Sequence, residues 1–199
     1  MLWLLTGSLT LLVTVPPPGP PSADLPPPQC GRGLLITELH IDPGSVADRK
    51  GEFVELYNHG PDPVSLQGWR ISDGARDAHR IRPDGPLVIG PGQFVVLGAN
   101  ADRATNGNIQ IDYEYRRFEL RNGSDRVVLE DPCGTPVFDL TYPSEPGWPR
   151  MRKGRSIEQA RDPARGSPPR WRRAKHRLPS GERATPGFAP WTRKGARQR

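Results

Sequence analysis

Seven short runs rich in Val, Ile, Leu, Phe and Tyr succeed one another between residues 34 and 142, and a cluster of Gly, Pro, Asn or Asp closes each. They are LLITELH (34–40), EFVELYN (52–58), VSLQGWRIS (64–72), QFVVLG (93–98), FELRN (118–122), RVVLED (126–131) and PVFDLTY (136–142). Runs of this length, separated by turn signals such as HGPDP (59–63), RPDGP (82–86) and GPG (90–92), predict an all-β antiparallel sandwich or barrel. Asn122-Gly123 and Asp131-Pro132-Cys133-Gly134 are two hairpin signals in succession, because Asn and Gly tolerate the positive φ of a tight turn and Pro fixes the negative φ of a turn's first corner. Together they predict a three-strand meander from 118 to 142. The 25 Pro and 22 Gly of the 199-residue chain exclude a helical bundle, and the length fits one domain. The stretch GRSIEQARDPARG after residue 154 reads as a further edge strand, with a short helix as the alternative.

Parity decides what the two carboxylates of GEFVELYN can do. On a strand, residues three apart point to opposite faces, so Glu52 goes with Val54 and Leu56 while Glu55 goes with Phe53 and Tyr57. The two therefore cannot share a proton or a metal, and Glu55 between aromatics is expected to be buried and hydrogen-bonded. His40 and Asp42 share a face, and with Asp48 and Glu52 nearby a loop could gather oxygen ligands for Ca²⁺, though the regular Ca²⁺-loop order is missing; a metal-dependent hydrolase using His40, Asp42 and Glu52 is the less favoured alternative. No nucleophile elbow, P-loop or Cys/His zinc spacing occurs, so the chain is expected to be no enzyme and to need no cofactor, with no catalytic or metal-binding residue assigned.

The ends are compositionally distinct. Residues 1–15 form an uncharged apolar run that reads as an export signal, and residues 16–30 form a Pro-rich linker. Cys30 and Cys133 suit an exported location, where they could form one disulfide; the alternative is two separate thiols. Residues 150–199 carry 16 Lys/Arg against Glu158, Asp162 and Glu182, while residues 1–149 carry 12 basic and 19 acidic residues. A basic region on an acidic body points to an anionic partner, with Arg170, Arg172, Arg173, Lys175 and Arg177 as candidate anion-binding residues. Trp171, Phe188 and Trp191 among these arginines could stack on the bases of a nucleic acid, or they could dock on the sandwich.

Five motifs in order resemble the lamin tail domain in its bacterial, exported form. They are Ile36 and Glu38; Glu52 through Leu56 with Asn58; Leu66, Gly68, Trp69, Ile71 and Asp73; Pro91, Gly92 and Phe94; and the hairpin ending in PVFDLTY. RSIEQ (155–159), Trp171 and ATPG (184–187) are similar to that family's closing elements, so the resemblance covers residues 32–189. It implies an immunoglobulin-like β-sandwich over 31–189, with 190–199 as a basic extension. It also implies that Glu38, Glu52, Glu55, Asn58, Gly68, Trp69 and Asp73 form the fold signature. The function expected from it is binding, to an anionic polymer such as nucleic acid or an envelope polymer, or to an envelope protein. A structural cell-surface spacer is the alternative.

Overall fold

The computed structural model describes residues 30–31, 33–143, 148–162 and 169–191. The expectations for residues 1–15, for nearly all of 16–30 and for 192–199 lie outside these residues. In chain order the elements are β1 (Leu34–His40), a single turn α1 (Asp48–Gly51), β2 (Phe53–Asn58), β3 (Val64–Ser65), β4 (Arg70–Ser72), β5 (Ala78–Arg80) and β6 (Val88–Ile89). There follow β7 (Phe94–Gly98), β8 (Tyr113–Glu114), β9 (Asp125–Glu130), β10 (Pro136–Tyr142), β11 (Ile157–Gln159) and β12 (Trp171–Arg173). One sheet has the order β12-β11-β1-β2-β7-β8, a second β10-β9-β4-β5, and β3 pairs with β6 as a ribbon. This is the expected all-β, immunoglobulin-like sandwich. All pairings are antiparallel except β7 with β8.

The main core lies between the two larger sheets. Leu34, Ile36 and Leu39 of β1, Val54 and Leu56 of β2, Ile71 of β4, and Val127 and Leu129 of β9 meet there around the fully buried Trp69. Alternation along each strand places these residues on one face, and removing that apolar surface from water is the main drive to fold. One irregularity matters. Ile36 pairs with Leu56 and Glu38 with Glu55, so two steps along β1 match one along β2, with Thr37 as the bulged residue. Beyond the bulge the parity of β1 reverses: Ile36 and Leu39 both face the core, whereas Glu38 faces the other side of the sheet. That outer side is covered too, by Phe53, Val96, Ile109, Ile111 and Ala184 packed together.

Two sequence expectations need correction. FELRN is not a strand: Phe118 and Leu120 are buried in the core, but the Leu120 N–H donates to Glu52 Oε2 and the Arg121 N–H to Asp125 Oδ2. Carboxylates satisfy that backbone in place of a ladder, so the meander shrinks to the β9–β10 hairpin. VSLQGWRIS is likewise two short strands in different sheets. Gly68 between them has φ +83°, a left-handed turn at which the chain crosses from one sheet to the other. The segment after residue 154 does form an edge pair, β11 with β12.

Candidate functional site

The signature carboxylates occupy the covered outer face. Glu158 of β11, Glu38 of β1 and Glu55 of β2 are neighbours across the sheet, each with 1% or less of its surface exposed. The segment Thr185–Gly187 lies over them. The Thr185 N–H donates to both Glu38 oxygens at 2.8 and 3.1 Å, and the Gly187 N–H donates to Glu55 Oε2 at 2.6 Å. Thr37 Oγ1 donates to Glu55 Oε1 at 2.6 Å, Ser156 Oγ to Glu38 Oε1, and Arg172 Nε to Glu158 Oε1 at 2.8 Å. Burial, and then the charge of Glu158, push the Glu38 carboxyl up to about 8; burial, and then the charge of Glu38, raise Glu55 well above the carboxylate range. Donors from the chain's own backbone and side chains occupy these oxygens, so the row is a clasp that holds the closing segment on the sheet.

The other signature residues are also tied into the fold. Glu52 accepts from Leu120, and burial raises it to about 8. Asn58 Nδ2 donates to the carbonyls of Asp62 and Ile89 while its Oδ1 accepts from Gly60 N–H, closing the β2–β3 turn. Asp73 Oδ1 accepts from the N–H groups of Ala75 and Asp77 in the β4–β5 turn. Cys30 and Cys133 are disulfide-bonded, and Asp131 braces the bridge by accepting from the Gly31 and Cys133 N–H groups. Buried His40 faces Glu182 at 3.3 Å and stacks near Phe53, while Glu52 turns to Leu120. Among the described residues no three His, Cys, Asp or Glu side chains are grouped to hold a metal, so His40, Asp42 and Glu52 do not assemble the hydrolase centre.

The charge is organised differently at the end of the sandwich near β11 and β12. Arg152 and Arg155 bracket a tight turn, Arg155 bridges to Arg183, and Arg183 bridges to Arg177. Arg173 and Lys175 flank them, and the Lys175 carbonyl accepts from Arg183 Nη1. Desolvation, and then the guanidiniums of Arg183, Arg173 and Arg152, lower the pKa of Arg155, the signature of cations crowded together. Among the described residues Arg152, Lys153, Arg155, Arg173, Lys175, Arg177 and Arg183 have no carboxylate partner. On the rest of the body Arg70, Arg116, Arg121 and Arg126 are paired with acids, and within β12 Arg172 is paired with Glu158.

A cleft of about 410 Å³ opens in this face, lined by residues 44–45, 153–155 and 180–183. Buried Glu182 organises it: Oε1 accepts from the N–H groups of Gly44 and Ser45 at 2.8 and 2.5 Å, and Oε2 faces His40. Burial works to raise the Glu182 carboxyl, but His40 and Ser45 outweigh it and hold the group at about 2. The cleft walls remain cationic. An Arg-rich cleft of this kind can take a phosphate- or sulfate-type oxyanion through forked, charge-assisted bonds.

The sequence candidates divide. Arg173, Lys175 and Arg177 join the basic face, whereas Arg172 is committed to Glu158 and to the Pro190 carbonyl, and so holds the edge strand in place of a ligand. Arg170 is exposed, and its carbonyl accepts from Ala160. Sequence reasoning missed Arg152, Lys153, Arg155 and Arg183; the run RMRKGR at 150–155 was the available signal. The aromatics are docked: Trp171 packs on Trp148 and Trp148 on Tyr142, Trp191 packs on Tyr57 and Phe94, and Phe188 on His176. With Trp191 seated there, the packed chain runs past residue 189.

A family model described as Lamin Tail Domain matches residues 27–144. No curated protein matches the chain. The match spans β1 to β10 and includes Glu38 and Glu55; Glu158, the closing segment Thr185–Gly187 and the cations of the basic face lie beyond it.

Proposed function

Because the chain belongs to the lamin tail domain family, whose members are non-enzymatic immunoglobulin-like modules, we propose that it is an exported binding module whose basic face contacts an anionic polymer or an envelope protein. The observation that carries this reading is the clustering of cations around the 44–45, 153–155 and 180–183 cleft, where Arg152, Arg155, Arg173 and Arg183 from separate segments lie close enough to repel one another. Unpaired like charges repel, so a partner that neutralises them gains what the folded chain itself forgoes. The Cys30–Cys133 disulfide supports an oxidising location outside the cytoplasm.

The test is retention on a heparin column. Wild type should elute at substantially higher salt than K175E/R177E, whose two sites are exposed and lie outside the clasp. Substitution is the suitable probe here, since removing residues 165–199 would also remove β12 and Thr185. Equal elution of the two proteins would overturn the reading and leave a structural spacer.

A further inference from the structure

Two observations narrow the partner beyond "anionic". The first is the state of the aromatics. A protein that holds single-stranded nucleic acid presents aromatic faces on which bases stack, and that stacking supplies much of the affinity. Here no Phe, Tyr or Trp among the described residues is exposed, and Val88 is the large apolar side chain that is. The basic region's Trp171 and Trp191 are consumed by packing.

The second is the cleft itself. Its volume of about 410 Å³ falls in the range of sites that seat one small unit of a ligand. Its lining is Gly, Ser, Lys, Arg and Glu with no aromatic residue. Gly44 and Gly154 approach so closely that a Cβ on Gly44 would lie 3.1 Å from Gly154 Cα. The result is a polar recess with Lys153, Arg155 and Arg183 on its walls.

We infer that this cleft seats one oxyanion-bearing unit of a base-free polymer, a phosphodiester-linked polyol or a sulfated carbohydrate, and that nucleic acid is not its ligand. The inference rests on the proposed binding role of the basic face and specifies the ligand class of that same site. Arg155 and Arg183 supply the forked donors and Lys153 a point charge at the rim. Glu182 is a positioning residue, joining the 44–45 strip to the far wall through its two N–H bonds.

The experiment measures affinity of the full chain for poly(glycerol phosphate), dextran sulfate, single-stranded (dT)20 and the (dA)20·(dT)20 duplex, all at equal anionic charge and fixed salt. Poly(glycerol phosphate) or dextran sulfate should bind, and whichever binds tighter identifies the ester. R155A/R183A should weaken that binding by about tenfold or more, since charge-assisted bonds are lost. R155K/R183K should fall between, and exposed K153A, which leaves the packing intact, should weaken it about threefold. Oligonucleotides binding tighter than both base-free polymers would overturn the inference. So would base-free polymers that bind wild type and all variants alike, although the broader basic-face reading would then survive. Failure of every probe to bind wild type would overturn both.

Discussion

Glu38 and Glu55 sit opposite each other across the β1–β2 ladder, both fully buried, and the closing segment donates a backbone N–H to each. Two like charges at that spacing in a low-dielectric setting cannot both persist. The hydrogen bonds agree. Thr185 Oγ1 lies 3.1 Å from Glu38 Oε2 and 2.9 Å from Glu158 Oε2, yet its single proton serves one of them, so the other contact needs a protonated carboxyl as donor.

Stability should therefore decline on the alkaline side. Glu38 is raised from 4.5 to about 8, so its contribution is full below about pH 4.5 and is lost as pH climbs to about 8. E38Q keeps the shape without the charge, and its melting midpoint should change less between pH 5 and 9 than that of wild type. E38A should lower stability by about 1–3 kcal/mol at pH 5, because the Thr185 N–H is left buried without a partner, and the loss relative to wild type should shrink as pH rises toward 8. Thermal melts across pH decide it, and parallel wild-type and E38Q profiles would count against a protonated Glu38.

Glu182 has the opposite sign. Its carboxyl is held at about 2 against an ordinary 4.5, so its contribution is present above about pH 4.5 and is lost as pH falls toward 2. E182Q should be destabilised at neutral pH and show a flatter acid limb. Hydrogen exchange at the Gly44 and Ser45 amides, which Glu182 accepts from, should rise with it.

Asn58 donates twice and accepts once. Asp at this position places an acceptor oxygen where Nδ2 donates, facing the carbonyls of Asp62 and Ile89. N58D should then cost at least as much as N58A, about 2–4 kcal/mol by denaturant unfolding, given about 1–3 kcal/mol for each buried group left unpaired.

The disulfide closes a separation of 103 residues, for which chain entropy sets a contribution of up to about 4.7 kcal/mol. C133S should approach that loss, with reductant destabilising wild type but leaving C133S unchanged in the same melt.

Much of the architecture was legible in the chain because strand and turn signals are local. Alternation in EFVELYN splits Glu52 from Glu55, and the order of the motifs marks Trp69 as part of the fold signature. FELRN misled because its pattern is that of a strand, while the carboxylates that take its N–H groups lie elsewhere, Glu52 being 68 residues away. In VSLQGWRIS the left-handed turn at Gly68 cut a run that alternation alone joins.

What the sequence by itself determined is the position of the longer strands β1, β2, β7, β9 and β10, the turns that bound them and the sandwich class. Only the tertiary structure decided which polar groups meet. The bulge at Thr37 reverses the parity of β1 and sets Glu38 beside Glu55, and the donor that clasps Glu38 comes from Thr185, 147 residues on. The basic face joins Arg155, Arg173 and Arg183 from separate segments. Periodicity reports the side of one strand on which a residue lies. It carries no information about which distant backbone N–H, carboxylate or cation closes over that side.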